Sequence, residues 1–242
     1  MNTCALILAA GLSSRMGGKP KALCVLKDAS FLEHCLQLFR AGGIGHCLIV
    51  TGHGGEAVRA EAGLLGEKLA GTTLHVVHNA QYKKGMFSSI QTGIGAVQAL
   101  FPEARGSFLL PVDSPLVAPA TITALSRHWR SLGNPESRIL LPSYAGIPGH
   151  PPLIGREHFD RILAWPVTRG LREYMGELPG IRSPKEIKED NRQEGSLAGP
   201  DTPLCFLHLQ DPNIPFDIDT PAMLEQAQGR EVPHLPWPLP PQ

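Results

Sequence analysis

The sequence has no excess of charge of either sign, since 22 lysine and arginine residues balance 22 aspartate and glutamate residues. Such a chain generates no overall field that would attract nucleic acid or an anionic membrane surface, so any anion site must be local. It also lacks a long apolar run at its start: residues 4–10 are too few to span a bilayer, and no basic residue precedes them as in a signal peptide. We therefore expect neither nucleic acid nor a membrane as a partner.

The sequence also lacks any paired spacing of cysteine. Its five cysteines lie singly in or beside apolar runs, without a C-x-x-C pattern: Cys4, Cys24, Cys35, Cys47 and Cys205. Such usage argues against a zinc site and against a disulfide framework. We therefore predict a cytoplasmic protein, kept in a reducing compartment.

The length and composition predict one large domain. With 242 residues, of which 42% are hydrophobic, the chain can bury a sizeable core. We assign residues 1–229 to a single domain and residues 230–242 to a proline-rich tail. Within the domain, the polar stretch 183–203 is predicted to be a mobile insertion.

Strand-like apolar runs alternate with helical patterns along the chain. The predicted strands are 3–8, 46–51, 73–78, 107–112 and 204–209. The predicted helices are 30–41, which begins with a capping box of Ser30 and Glu33, then 87–100 and 119–132, and a glycine- and proline-rich loop is predicted at 143–155. The alternation is typical of βαβ units. It predicts a three-layer α/β fold, with a mostly parallel, twisted sheet and helices on both faces.

The loop after the first predicted strand combines small and basic residues. It reads ILAAGLSSRMGGKPKAL from residue 7 to residue 23 and contains no acidic side chain. Its glycines let backbone amides approach an anion and its cations add charge: Gly11, Gly17, Gly18, Arg15, Lys19 and Lys21. Because this loop lies at the carboxyl edge of a parallel sheet, it predicts a polyphosphate site. Its spacing matches neither G-x-G-x-x-G nor G-x-x-x-x-G-K-[ST], and the chain has no G-x-S-x-G motif of a serine hydrolase.

Two acidic segments offer metal ligands near that loop. Asp113 follows the strand at 107–112, which places a carboxylate at the same sheet edge. The segment DIDTP at 217–221 offers a second, and the residues alone do not choose between Asp217 and Asp219. Magnesium is commonly held by one or two carboxylates together with substrate phosphates. The alternative is that these aspartates only cap a turn or a helix.

Two further segments are candidates for ligand contacts. In GMFSSIQTG, Gly85 permits a close approach, and Ser88 and Ser89 lie at a helix start, where hydroxyls face a ligand or simply cap the helix. His150 in GHPP either binds a second, anionic ligand, which we call the acceptor, or is an ordinary turn residue. Three arginines are expected to help shape the site of this acceptor: Arg156, Arg169 and Arg172.

These motifs together resemble the MobA-like nucleotidyltransferase family. LAAGLSSRMG followed by lysine resembles its signature, and four later blocks occur in the family's order: NAQYKKGMFSSIQTGI (79–94), LLPVDSPLV (109–117), GIPGHPPLIGR (146–156) and DIDTP (217–221). The form of the signature with two alanines, Ala9 and Ala10, most resembles the molybdenum cofactor cytidylyltransferase branch. Guanylyltransferase relatives usually have L-A-G-G instead. Two features depart from the pattern: Val112-Asp113-Ser114-Pro115 stands where that branch usually has G-D-Q-P, and 183–203 is extra.

The resemblance implies a Rossmann-like nucleotidyltransferase fold and transfer of CMP from CTP to molybdopterin phosphate, with release of pyrophosphate and Mg²⁺ as cofactor. It assigns catalysis to Arg15, Lys21 and Asp113. It assigns nucleotide binding to Leu8, Ala9, Ala10, Gly11, Lys19, Gly85, Ser88 and Ser89. It assigns the acceptor to Gly149, His150 and Pro151, and the metal to Asp113 and Asp219. A downstream molybdoenzyme or chaperone is the further partner it implies.

Two alternative functions remain open at this point. One is a guanylyltransferase or another NTP-dependent transferase of the same fold, and another is a nucleotide-binding regulator without activity. A sugar-phosphate nucleotidyltransferase is disfavoured, because its G-x-G-T-R-L loop is absent. Lys19 is also an alternative to Lys21, since the extra lysine makes the alignment ambiguous by a residue or two.

Overall fold

The computed structural model describes residues 2–179 and 202–230, and within these ranges most strands belong to one eight-stranded sheet. The strands are β1 (Thr3–Ala9), β2 (Val25–Leu26), β3 (Ala29–Ser30), β4 (His46–Thr51), β5 (Thr73–His78), β6 (Gly106–Pro111), β7 (Ile139–Tyr144), β8 (Ile147–Pro148), β9 (Leu153–Gly155) and β10 (Leu204–His208). The helices are α1 (Phe31–Ala41), α2 (Gly55–Lys68), α3 (Met86–Leu100), α4 (Pro119–Ser131), α5 (Phe159–Ala164), α6 (Leu171–Gly176) and α7 (Pro221–Gln228).

The order of the large sheet is β10-β7-β9-β6-β1-β4-β5, with β8 paired to β7, and β2 and β3 form a separate ribbon. The pairs β1–β4, β1–β6, β4–β5 and β7–β10 are parallel. Only the contacts of β9 and β8 with their neighbours in this sheet are antiparallel. The mostly parallel sheet is therefore confirmed.

Alternate residues of the central strand β1 face two separate cores. Ala5 and Ile7 pack in one core with the apolar sides of α1, α2 and α4. Leu6 and Leu8 pack in the other core with α3, α5 and α6. This alternation follows from the two-residue period of a strand, and it places helices on both faces of the sheet, as the three-layer prediction requires.

The predicted element bounds agree with the structure to within a residue or two, and two local predictions were wrong. Ser30 does cap α1, since its Oγ accepts from the amide of Glu33 at 3.2 Å, but Glu33 does not complete the box. Its carboxylate accepts from Lys68 and from Gln37 instead. The predicted loop at 143–155 contains the short strands β8 and β9, which are too brief to show a periodic pattern.

Two predictions of domain organisation fall largely outside the described residues. The predicted insertion at 183–203 lies there except for residues 202 and 203, and the predicted tail at 230–242 lies there except for Arg230. Among the described helices, none has both the length and the apolar character needed to cross a membrane.

Candidate active site

The candidate site lies where the parallel strands β1 and β6 end side by side. Leu8 of β1 pairs with Pro111 of β6, so the loops that follow the two strands begin at the same edge of the sheet. A cavity of about 330 Å³ opens there. The loop after β1, the start of α3, the end of β6 and the segment before α7 all contribute to its walls. This is the edge at which open α/β sheets bind their ligands.

The loop after β1 is held in shape by its own backbone. Ser13 has a positive φ of 53°, and its carbonyl oxygen accepts from the amides of Met16 at 2.9 Å and Gly18 at 3.1 Å. The Ser13 hydroxyl oxygen accepts from the amide of Lys21 at 3.0 Å. Gly17 and Gly18 both adopt the left-handed conformation that glycine tolerates best. The resulting fold of the loop turns Arg15 and Lys21 toward the cavity, whereas Lys19 does not line it.

A compact cluster of four charges lies at one wall of the cavity. The ammonium of Lys21 donates to Asp113 Oδ2 at 2.6 Å and to Asp219 Oδ1 at 2.5 Å. Arg15 donates to the other oxygen of Asp219 at 2.9 Å. The side chains of Lys21 and Asp113 are only 14% and 17% exposed, so this pair is largely removed from bulk water. The structure thus brings together four charged residues from three distant parts of the chain.

The environment of the cluster favours the charged states of Lys21 and Asp219. Burial alone would lower the pKa of Lys21, but its hydrogen bonds with Asp113 and Asp219 and their negative charges outweigh that effect and raise it. The hydrogen bond from Lys21 holds the pKa of Asp219 below its usual value, with Arg15 acting in the same direction. Cations and carboxylates therefore stabilise each other at neutral pH.

The two aspartates of the DIDTP segment face different partners. Asp219 joins the charged cluster, whereas Asp217 accepts from the hydroxyl of the fully buried Ser114 at 2.6 Å. The amide of Ile218 donates to the carbonyl oxygen of Asp113 at 2.7 Å. These two bonds fasten the segment before α7 to the turn after β6, and they set Asp219 beside Asp113. Of the two aspartates, Asp219 is therefore the one that lies beside Asp113 in the cluster.

The two carboxylates of the cluster suit a divalent cation that would also be bound by phosphate oxygens of a substrate. The oxygens of Asp113 and Asp219 already surround one positive group, the Lys21 ammonium. Within residues 2–179 and 202–230, no group of three or more His, Cys, Asp or Glu side chains is placed to form a closed metal cage. Magnesium does not need one, because it is commonly held by two carboxylates with water and phosphate oxygens. The metal role of both aspartates stays a prediction.

The start of α3 contributes to the cavity through some of its predicted residues. Gly85, with a φ of 102°, precedes the helix, and Ser89 follows at the cavity wall. Ser88 is turned away, since its hydroxyl lies 2.8 Å from the carbonyl oxygen of Gly85, to which it donates. Asn79, which the sequence reasoning missed, donates to the hydroxyl oxygens of both serines, at 2.9 and 3.0 Å. Its position directly after β5, at the same sheet edge, is the signal that could have identified it.

Eight further residues that the sequence reasoning missed line the same cavity: Leu12, Ser13, Ser14, Tyr82, Lys83, Met86, Pro111 and Val112. Leu12 and Met86 are exposed apolar side chains, 52% and 61% accessible. They offer a surface for an aromatic ring or another flat apolar group. All eight lie within four residues of a predicted site residue in the chain, so proximity to those residues was the available signal.

The predicted acceptor segment does not line this cavity. The amide of Gly149 donates to the carbonyl oxygen of Pro142, and the amide of His150 donates to the carbonyl oxygen of Ile214. A side chain at Gly149 would collide with the backbone of Ile214. Burial lowers the pKa of His150, and the charges of Asp217 and Asp113 oppose that effect, so the ring lies within electrostatic reach of both carboxylates. The acceptor role of residues 149–151 stays a prediction.

The three arginines assigned to the acceptor side make contacts elsewhere. Arg156 donates to the carbonyl oxygen of Ala104 at 2.9 Å. Arg169 pairs with Glu173 at 3.0 Å and lies 4.5 Å from the ring centre of Trp165. Arg172 is exposed, and none of the three lines the cavity. The structure therefore does not bring them to the charged cluster.

The chain matches one family model and resembles several known proteins. Residues 5–181 match the family described as the MobA-like NTP transferase domain. The molybdenum cofactor cytidylyltransferase of Escherichia coli is 28% identical over 174 residues, which are 70% of this chain and 79% of that protein. The crystal structure of Rv0371c from Mycobacterium tuberculosis is 25% identical, with a TM-score of 0.68 over 94% of this chain and 97% of that one. A nucleotidyl transferase from Methanothermobacter thermautotroptrophicus, 20% identical, has a TM-score of 0.62 over 94% and 96%.

Proposed function

We propose that this chain, which belongs to the MobA-like NTP transferase family, transfers CMP from CTP to the phosphate of molybdopterin and releases pyrophosphate. The chain is an enzyme of the nucleotidyltransferase class, as its family and relatives are. Its nucleotide and its acceptor are the parts that we propose. The family's chemistry requires a nucleoside triphosphate as donor.

The observation that carries the proposal is the charged cluster beside the cavity. Lys21 and Arg15 are the cations that a triphosphate needs, and they lie within one loop whose glycines leave the backbone accessible. Asp113 and Asp219 would hold Mg²⁺, which neutralises phosphate charge when it is bound. A protein that only sensed nucleotides would need the phosphate loop but not two converging carboxylates from distant segments.

The residues of the cluster suit a reaction without a protein nucleophile. An acceptor phosphate monoester is already anionic at neutral pH, so its oxygen can attack the α-phosphorus of CTP directly. The new bond joins the acceptor oxygen to that phosphorus, and the bond from the α-phosphorus to the oxygen that bridges to the β-phosphorus breaks. The electron pair leaves with pyrophosphate. Lys21 and Arg15 would align the triphosphate and neutralise the charge that develops on the departing oxygens.

The preference for CTP rests on the floor of the cavity. Ala9 and Ala10 line it directly beside Gly11. Ala10 is only 5% exposed and also packs in the core on the α3 side. Its methyl group would take space that a glycine would leave open, and it would favour the smaller pyrimidine ring over guanine. The similarity to the Escherichia coli cytidylyltransferase supports the same nucleotide.

The acceptor is proposed from the same relative, whose name specifies the molybdenum cofactor. Residues 149–151 would contact it, because the negative charges of Asp217 and Asp113 already act on the pKa of His150. A downstream molybdoenzyme or chaperone would then receive the product, in the cytoplasm.

Pyrophosphate release tests the proposal. The wild-type protein is incubated with Mg²⁺, with CTP, GTP or ATP, and with molybdopterin or a panel of simpler phosphate monoesters. We expect turnover with CTP and molybdopterin, and much slower turnover when either partner is replaced. A clear preference for GTP would contradict the cytidylyl assignment, and binding of nucleotide without turnover on any acceptor would contradict the transfer reaction itself.

A further inference from the structure

We propose that Lys21 is the internal cation of the nucleotide-free protein: its ammonium occupies the place between Asp113 and Asp219 that a divalent cation would take, and an arriving triphosphate exchanges with it. The inference rests on the proposed function, because it takes these two aspartates to be metal ligands. It adds a sequence of events: Lys21 leaves the two carboxylates, and the metal then binds to them.

The geometry shows that Lys21 and a metal would compete for the same oxygens. Lys21 contacts Asp113 Oδ2 at 2.6 Å and Asp219 Oδ1 at 2.5 Å, and Arg15 contacts Asp219 Oδ2 at 2.9 Å. Three of the four carboxylate oxygens therefore already accept from a cation. A metal ion bonded to these oxygens would lie beside the Lys21 ammonium, and the repulsion between the two positive charges disfavours binding of both together.

The charges of the cluster balance without any ligand. Lys21 and Arg15 carry two positive charges, and Asp113 and Asp219 carry two negative ones. A carboxylate pair without this compensation would attract a divalent cation strongly, because the pair is shielded from bulk water. With the compensation, a lone metal ion gains little at this site.

The loop allows the exchange without a change of its backbone. The bond from the Lys21 amide to Ser13 Oγ, at 3.0 Å, fixes the main chain, so only the long side chain of Lys21 needs to swing. Arg15 is 65% exposed and can move as easily. Phosphate oxygens in the adjacent cavity would offer both cations new partners and would release both aspartates. Metal and nucleotide would then each raise the affinity of the other.

Binding of Mn²⁺ to the nucleotide-free protein tests this inference without reference to turnover. Free Mn²⁺ is followed by its EPR signal during titration of the wild type, of Lys21→Met and of Lys19→Met. Lys19→Met is the matched control, since it removes the same charge from the same loop at a residue outside the cluster. We expect weak binding to the wild type, binding about tenfold tighter or more to Lys21→Met, and a change within about twofold for Lys19→Met.

Three additions make the outcome decisive. Lys21→Gln repeats the test in case Lys21→Met does not fold, and thermal melting checks both. Adding Asp219→Asn to Lys21→Met should abolish the gain, which locates the site. The ratio of CTP dissociation constants without and with Mn²⁺ should be larger in the wild type than in Lys21→Met, because only the wild type must displace Lys21.

Equal Mn²⁺ affinity in the wild type and both Lys21 variants would overturn the inference, and so would an equal gain in Lys19→Met. Neither result would touch the transferase assignment, which depends on pyrophosphate release by the wild type. Absence of turnover would contradict the proposed function while leaving the measured competition between Lys21 and Mn²⁺ in place.

Discussion

Two glycine-containing segments of this chain look alike in sequence and differ in their surroundings. In the loop after β1, a side chain added at Gly11 would have no neighbouring atom within 4 Å. In the segment 146–155, which ends with β9, a side chain added at Gly149 would collide with the backbone of Ile214, and one at Gly155 would collide with that of Glu136. Glycine in the first segment leaves space for a ligand, whereas glycine in the second allows close packing.

The charged residues of the two segments differ in the same way. Lys21 of the first reaches aspartates 92 and 198 residues away in sequence. Beyond the second, Arg169 pairs with Glu173, one helical turn along the chain. At the candidate site, charged residues from distant parts of the chain therefore meet, whereas Arg169 forms an ordinary ion pair on the surface of a helix. The following predictions test this contrast, beginning with the largest expected effect.

Exchanging glycine for alanine should reduce the stability of the protein strongly in the second segment and only slightly in the first. Gly149→Ala should lower the free energy of unfolding by about 3 kcal/mol, because the new methyl group overlaps backbone atoms. Gly11→Ala should change it by less than about 0.5 kcal/mol, and it should weaken CTP binding instead. Urea denaturation and CTP titration measure the two effects. Equal destabilisation by both substitutions would contradict the contrast.

Removing the buried cation should reduce catalysis. Lys21→Ala should lower kcat/KM at least about tenfold, since a charge-assisted contact to phosphate contributes on the order of 1.5 to 3 kcal/mol. Lys19→Ala should lower it less, because Lys19 does not line the cavity. Steady-state kinetics with CTP measure both variants. The reverse ranking would mean that Lys19 is the catalytic lysine.

Removing one methyl group from the cavity floor should change the choice of base. Ala10→Gly should shift the ratio of kcat/KM for CTP over GTP toward GTP by roughly tenfold, since a methyl group contributes about 1 to 3 kcal/mol to discrimination. Ala9→Gly is the control next to it. An unchanged ratio would show that the base is selected elsewhere in the cavity.

Truncating the histidine of the second segment tests whether that segment reaches the acceptor at all. His150→Ala should raise KM for the acceptor about two- to tenfold, the range of one lost hydrogen bond, and should leave the CTP dissociation constant unchanged. Acceptor kinetics and CTP titration give the two readings. Loss of both affinities, or of neither, would remove His150 from the acceptor site.

The smallest effect concerns acid stability. Because Lys21 lowers the pKa of folded Asp219, the pair stabilises the fold above the ordinary aspartate pKa of about 3.9, and this contribution is lost as the pH falls. Asp219→Asn should therefore lose less stability than the wild type between about pH 5 and pH 3. Urea denaturation at several pH values measures this difference. A parallel decline in both proteins would contradict the assigned coupling.

Much of the fold could be predicted because its signals are local. The strands β1 and β4 are largely continuous apolar runs, β5 is rich in β-branched residues, and the observed bounds match the predicted ones closely. Asp113 could be placed at the sheet edge because it follows such a run. Strands β8 and β9 escaped because two or three residues carry no period, and the partner of Glu33 escaped because Lys68 is 35 residues away.

The details of the site depend on contacts that no pattern in the chain records. Asp217 and Asp219 have the same chemistry and lie two residues apart, and only the hydrogen bond of Asp217 with Ser114, 103 residues away, separates them. Ser88 and Ser89 are likewise neighbours, and the turn of α3 decides which one faces the cavity. Residue type therefore yields candidates for the site, and tertiary packing decides which of them lie at the cavity.

The fate of the α-phosphorus tests the central claim most directly. The wild-type protein is incubated with Mg²⁺, molybdopterin and CTP that carries ³²P at either the α or the γ position, and the products are separated. Nucleotidyl transfer predicts the α label on the acceptor, the γ label in pyrophosphate, and slower appearance of both signals in Lys21→Ala. Label that stays in CTP, or γ label that appears on the acceptor, would contradict it.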